Sequence, residues 1–374
     1  MKRIGKLILI LSASIPTITG CWDFESLRDR TIILGLAIDS RNEGYSMLAE
    51  TPKFPSGKQS ESSTAQTDKL AITYPIKSVE IPLHDIQKQL SGRPYYPNLR
   101  ILAIGKEQAK EGIADIVSHF IRDPDMRRTT QVVIAEREAS ELLGMQTSQD
   151  AFTSFYLESL LKKNETTGHS KRSDIGLISK EIHEKAVSLI PLLGVKSQKE
   201  ARVIGLAVMD NGKWAGSMNE AETEAVAYVK DPAVSGGSIR MNCPKTNQGS
   251  VAMDVIRVKT KIEPQVEGDR LIVRGQSRLT GYLSEFTCAD GKVRDRSSLN
   301  LLEANFEELL NQSFNKQIEA VLRRTGVDVL ALRGKLERKP KEWRNIEPRF
   351  SELLRNAEVN IQMKVELKSK GSES

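Results

Sequence analysis

NLLEANFEELLNQSFNKQIEAVLRRTG, residues 300–326, and EVNIQMKVELK, residues 358–368, are the two stretches that decide the fold. In the first, Leu302, Phe306, Leu310, Phe314, Ile318 and Leu322 recur every fourth residue, with Leu309 and Val321 beside them. That spacing gathers the apolar side chains on one face of a helix. Asn300 and Glu303 are placed to cap its start, and Gly326 stands where a C′ glycine ends it. In the second, Val359, Ile361, Met363, Val365 and Leu367 alternate with Asn360, Gln362, Lys364, Glu366 and Lys368. Period two means a strand with one buried and one wet face. A long amphipathic helix beside such a strand predicts an α+β fold.

Working outward, Val327–Glu337 and Trp343–Arg355 read as shorter helices between these two elements. Upstream, Val255–Ile262 and Leu271–Leu283 are long strands separated by a turn at Glu267-Gly268-Asp269. Arg202–Met209 and Lys213–Gly216 flank Asp210-Asn211-Gly212, a hairpin turn because Asn-Gly tolerates positive φ. Asn219 and Glu222 form the capping box of a helix over 220–229.

The N-terminal half alternates strand and helix. Thr31–Asp39 is β-branched and apolar, a buried strand, and 52–69 is a polar loop. Ile81–Leu90 is a short helix with Leu83, Ile86 and Leu90 on one side, and Leu99–Gly105 is a strand. A helix over 107–122 carries Ala109, Ile113, Ile116, Val117, Phe120 and Ile121 at helical spacing, and Pro124 stops it. Thr130–Ala135 is a strand and Ser140–Leu143 a short helix, so this part forms an α/β layer. Phe152–Leu161 is helical, 162–174 a charged loop, and Ile175–Leu193 weak helix with irregular chain. The expected organisation is a leader over 1–20, an N-terminal α/β region over 21–200, either whole or divided into 21–140 and 141–200, and a C-terminal α+β domain over 201–374.

Residues 1–20 read as a targeting segment. Lys2, Arg3 and Lys6 make a basic start, Leu7–Leu11 begins an apolar run, and small residues lead to Gly20. Ile18-Thr19-Gly20-Cys21 resembles the lipobox at which bacteria acylate the cysteine and cleave before it. Two or more acyl chains anchor a protein stably, so the chain needs no transmembrane helix. The formal charge, 55 Lys+Arg against 49 Asp+Glu, owes half its excess to the leader's three basic residues. With 5% aromatics, no arginine-rich arm and no zinc-finger spacing, nucleic acid is not an expected partner. Beyond Cys21, Cys243 and Cys288 remain, and in an exported protein they are either a disulfide or two buried thiols.

Catalytic constellations are not apparent. His84, His119, His169 and His183 show no zinc-pair spacing, and neither a G-x-S-x-G elbow nor a P-loop occurs. No metal, cofactor or catalytic residue is therefore expected. The densest polar cluster is Arg122-Asp123-Pro124-Asp125-Met126-Arg127-Arg128. It reads either as a helix-ending turn tied by local ion pairs or as a docking surface for a partner built on Arg122, Asp123, Asp125 and Arg127.

Cys21-Trp22-Asp23 with Glu25-Ser26-Leu27, then Gly35-Leu36-Ala37-Ile38-Asp39, resembles the mature start of the Ger(x)C family, the C-subunit lipoproteins of spore germinant receptors. Ile104-Gly105, Ala109, Gly112-Ile113 and the Arg122–Arg127 segment follow in that family's order, as do Gly205–Met209 and Pro340-Lys341-Glu342-Trp343. Asn98 stands where many relatives carry histidine, and the segment near residue 60 is rich in Ser, Gln and Thr instead of Gly. The resemblance implies an elongated, multi-domain α+β lipoprotein with mixed sheets packed by helices. It implies a position on the outer face of the spore inner membrane, integral-membrane A and B subunits as partners, and a need for the protein in nutrient-triggered germination without catalysis. The competing expectation is a solute-binding lipoprotein capturing a small nutrient, which would require two doubly wound lobes.

Overall fold

The computed structural model describes residues 29–53, 66–75, 78–90, 92–230, 235–244, 248–288 and 296–368. The leader, Cys21 and most of the expected 52–69 loop lie outside the described residues. The chain begins with β1 (Arg30–Ile32), β2 (Gly35–Ser40), β3 (Tyr45–Lys53), β4 (Gln66–Tyr74), α1 (Glu80–Gln89), β5 (Arg93–Tyr95) and β6 (Ile101–Gly105). It continues through α2 (Lys106–Glu111), α3 (Ala114–Arg122), β7 (Gln131–Ala135), α4 (Ala139–Gly144), α5 (Thr153–Thr166) and α6 (Ile175–His183). Then come β8 (Val187–Ser197), β9 (Glu200–Asp210), β10 (Lys213–Met218) and α7 (Glu220–Lys230). The last part holds β11 (Ser238–Asn242), β12 (Ser250–Glu267), β13 (Arg270–Phe286), α8 (Arg296–Thr325), α9 (Arg333–Leu336), α10 (Pro340–Ile346), α11 (Phe350–Arg355) and β14 (Glu358–Lys368).

The fold is α+β, with an eight-stranded and a four-stranded sheet. The larger runs β10-β9-β8-β7-β6-β2-β3-β4. Its centre, β8, β7, β6 and β2, is parallel, and an antiparallel hairpin extends it on each side. Parallel strands bury both faces, which is why they read as unbroken apolar runs. Leu102, Ile104, Val132 and Ile134 point to the face covered by α3 and α6, while Ile101, Ala103 and Val133 point to the face covered by α4 and α5. Residues 141–200 supply α5, α6 and β8 to this same body. The turn at 198–199 joins β8 to β9, so two strands beyond it complete the sheet. Leu206 and Val208 on β9 turn their side chains to the C-terminal core, while Ala207 and Met209 face the N-terminal one.

The strand expected over Thr31–Asp39 is two, β1 pairing with β5 and β2 with β3 and β6. The helix expected over 107–122 is also two. Gly112, at φ 131°, breaks it in a conformation that side-chain-bearing residues rarely adopt. The freed Ile113 N–H donates to Gly212 O (2.8 Å) at the tip of the β9–β10 hairpin. Asn211 (φ 48°) and Gly212 (φ 74°) both hold positive φ there, as the hairpin turn requires.

In the smaller sheet, β11, β12 and β13 are antiparallel and β14 lies parallel to β13 at the edge. α8 packs Leu302, Phe306, Leu310, Phe314, Ile318 and Leu322 into the core and starts at Arg296, earlier than Asn300. Between α8 and α9 the chain is irregular where a helix from Val327 was expected, because Asp328 takes the Leu332 and Arg333 N–H groups (both 2.8 Å) and caps a helix that begins later. Beside its apolar face α8 carries a second row. Glu303, Glu307, Asn311, Asn315 and Glu319 accept hydrogen bonds from the backbone N–H groups of Leu367, Val365, Met363, Ile361 and Val359, at 2.8–3.1 Å. Four residues of helix advance about 6.0 Å and two of strand about 6.6 Å. The accumulated mismatch is absorbed by side-chain length, with short Asn in the middle and longer Glu toward the ends.

α7 locks onto α8 through Glu222, which is 3% exposed. The Arg324 guanidinium donates to both its carboxylate oxygens (2.8 Å each) and to Ser217 O (2.7 Å). Asn219 N donates to the same carboxylate (2.9 Å), completing the expected capping box. Arg324→Met is expected to cost roughly 2–3 kcal/mol, since it strands a buried carboxylate, discounted for the solvent that reaches Arg324. Urea unfolding of R324M checks this, and Glu222→Gln in the same chain should recover part of the loss.

Candidate functional site

The segment Arg122–Arg127 follows α3, whose Ile116, Val117 and Phe120 are buried. Pro124 cannot continue a helix, and Asp123 leaves it in an extended conformation. Asp123 then organises the turn: its carboxylate accepts from Asp125 N (2.9 Å) and its carbonyl from Met126 N (3.2 Å). Met126 is buried, and Thr130, also buried, donates its hydroxyl to Leu99 O (3.0 Å), so the turn is pinned to the start of β6. Arg122 donates Nε to Ser118 O (3.0 Å). Among the described residues no ion pair joins Arg122, Asp123, Asp125 and Arg127, so backbone bonds and one Asx turn hold the segment. Arg122, Asp125 and Arg127 are exposed on one protruding turn. His119, one turn back on α3, is half-buried and edge-on to Phe120; burial lowers its pKa, and Glu80 and Asp123 oppose the shift.

A second candidate region is the seam between the two sheets. Gly236 and Gly237 lie against the Thr166 and Thr167 backbone, and the Tyr228 hydroxyl donates to Gly236 O (3.3 Å). Glu224 faces this seam, and burial pushes its carboxyl above the usual range while His169 draws it down. Beside it is a cavity of about 240 Å³ lined by Leu189, Leu206, Val226 and Lys230, with Ser170 and Thr223 in the wall. That volume is below the usual range of small-molecule sites.

Cys243 and Cys288 are disulfide-bonded, with Cα atoms 5.6 Å apart, and tie the end of β11 to the end of β13. Cys21 lies outside the described residues. Among the described residues no group of three His, Cys, Asp or Glu is close enough to hold a metal ion, and no helix is long and apolar enough to cross a membrane.

Two structurally decisive carboxylates escape a reading by motif alone. Asp39, 2% exposed, accepts from Ala139 N (2.6 Å) and Ser140 N (2.9 Å) and caps α4. Glu50, fully buried, accepts from Thr153 N (2.8 Å) and Ser154 N (2.9 Å) and caps α5. The signal available was an acidic residue closing an apolar strand, where an unpaired charge would be costly. Lys69 donates to Thr153 Oγ1 (3.1 Å) and to Met145 O, and burial lowers its pKa.

Comparison with known proteins places both halves of the chain. Residues 23–195 match the family model described as spore germination protein N-terminal domain, and residues 204–371 match spore germination B3/GerAC like, C-terminal. Spore germination protein B3 of Bacillus subtilis (strain 168) is 22% identical over 364 residues, covering 94% of each chain. Spore germination protein KC of the same organism is 20% identical over 375 residues, covering 92% of this chain and 90% of its own. The crystal structure of the GerBC protein superposes with a TM-score of 0.61 at 17% identity, covering 90% of this chain and 97% of that one.

Proposed function

Because this chain belongs to the spore germination GerAC family, matching its N- and C-terminal domains in order, we propose that it is the lipid-anchored C subunit of a nutrient germinant receptor. Its role lies in spore germination. Acyl chains on Cys21 hold it on the outer face of the spore inner membrane, and its body serves as an assembly surface for the integral-membrane A and B subunits. The turn bearing Arg122, Asp123, Asp125 and Arg127 is the partner-facing element of this reading. It is charged, exposed and rigidly pinned beneath, so docking costs it little conformational entropy.

The observation that carries the reading is the succession of both family domains over nearly the whole chain, directly behind Ile18-Thr19-Gly20-Cys21. The paired doubly wound lobes of a solute-binding protein do not occur among the described residues: the C-terminal sheet has three antiparallel strands and one parallel, backed by a single long helix. Crosslinking and affinity purification from spore membranes is the test. The A and B subunits are expected to co-purify, and substituting Arg122 and Arg127 by Glu should reduce their recovery while the protein stays folded. Recovery of the protein alone from intact membranes would count against the assembly role.

A further inference from the structure

A cleft of about 380 Å³ opens beside the Arg127 turn, at the N-terminal ends of β6 and β7 and against α5. Five cations reach its walls, Arg100, Arg127, Lys162, Lys171 and Arg172, against two carboxylates, Glu158 and Glu165. With Glu181 and Asp174, which pair with Lys171 and Arg172 behind the wall, four carboxylates meet five cations, an excess of one positive charge. Glu158 is shared between Lys162 (2.9 Å) and Arg100 (3.8 Å), and the second contact is long. Lys171 leans on Glu181 at 3.7 Å, and Arg172 Nε donates to Asp174 Oδ2 at 2.6 Å. The Arg127 guanidinium is exposed and has no hydrogen bond or ion pair among the described residues. Arg100 lies over the Phe155 ring, its guanidinium carbon 5.6 Å from the centroid, and its Nε is shut off from solvent without an acceptor.

An excess of positive charge around a fixed guanidinium is the chemistry of oxyanion recognition, and Arg matches a phosphate with paired donors. The position favours a phosphate at a membrane surface. β1 pairs in parallel with β5, and Pro97, two residues past β5, lines the cleft. Cys21 precedes Arg30 by nine residues, so even a fully extended chain keeps it within about 30 Å of β1. We propose that this cleft binds the phosphate of an anionic phospholipid headgroup and so fixes which face of the body rests on the membrane. The choice of a lipid source rests on Cys21 being the acyl anchor; the phosphate chemistry does not.

The test uses the unacylated polypeptide beginning at Trp22, which keeps every described element, in flotation with vesicles. Binding is expected to phosphatidylglycerol/phosphatidylcholine vesicles and not to phosphatidylcholine alone. Arg100→Gln with Arg127→Gln should weaken it about thirty-fold, from two lost phosphate-facing charges. Arg257→Gln with Lys259→Gln, two exposed cations on β12, should leave it nearly unchanged, and circular dichroism and thermal melts confirm that both variants fold. Equal losses in the two pairs, or undiminished binding without Arg100 and Arg127, overturn the cleft. Calorimetric binding of inorganic phosphate, abolished by the Arg100 and Arg127 pair of substitutions, with no binding to phosphatidylglycerol vesicles, assigns the cleft to free phosphate and overturns the lipid source. Because the polypeptide lacks Cys21, a negative result here leaves the acyl-anchor reading intact, and that reading is tested separately by Cys21→Ala.

Discussion

Replacing Cys21 by Ala is expected to shift the protein from the membrane to the soluble fraction of spore extracts and to suppress nutrient-triggered germination. Each buried methylene of an acyl chain contributes about 0.8 kcal/mol, and one chain binds only marginally while two hold firmly. Losing both should change the ratio of membrane-bound to free protein by more than about 100-fold. A headgroup contact at the basic cleft could retain only a small, salt-sensitive fraction. Fractionation by ultracentrifugation, with immunodetection of this chain and of an integral-membrane marker, reads the effect. Wild-type levels of C21A in the membrane pellet, resistant to high salt, would remove the anchor from the account. Normal germination by a released protein would separate anchoring from function.

Replacing Cys243 and Cys288 together by Ala is expected to lower stability by about 3–4 kcal/mol, the loop-closure effect for their separation of 45 residues. Cys243 is fully buried and Cys288 packs against the same core, so Ala at both avoids stranding a polar atom. The bond holds the end of β11 against the end of β13, where Thr287 N also donates to Ser250 O (3.0 Å). The double variant should unfold at a lower urea midpoint, and reducing the wild type should produce a matching drop. Titration of two free thiols in the denatured, unreduced protein from spores would show that the pair is not bonded there.

Much of this architecture was legible in the residues. α8 and β14 announced themselves by period four and period two, and the β9–β10 turn by Asn211-Gly212, because in each case local geometry and burial demand the same pattern. β3 and β4 were not foreseen. Thr51, Pro52 and Lys53 pair with Asp68, Thr67 and Gln66 at the polar end of a hairpin that reads as loop by composition. The break at Gly112 was hidden because Ala109 before it and Ile113 and Ile116 after it keep the helical apolar spacing across it. The Arg122–Arg127 cluster stood out as charge. Its support came from Asp123 closing the turn and Thr130 bonding Leu99 O, the latter a contact between distant segments that spacing along the chain does not encode. The same holds for the basic cleft, whose cations come from four separate segments of the chain.

The row of acceptors from Glu303 to Glu319 has one more consequence. A strand at the margin of a sheet usually remains a template on which another chain can grow. Here the outward N–H groups of β14 from Val359 to Leu367 are already taken by α8. Among the described residues, growth of the C-terminal sheet by a guest strand is thus directed to β11, whose five residues offer a short landing place beside the Cys243 bridge. Any chain that docks on this sheet by strand addition would have to arrive from that side, and copies of the protein could not zip together through β14.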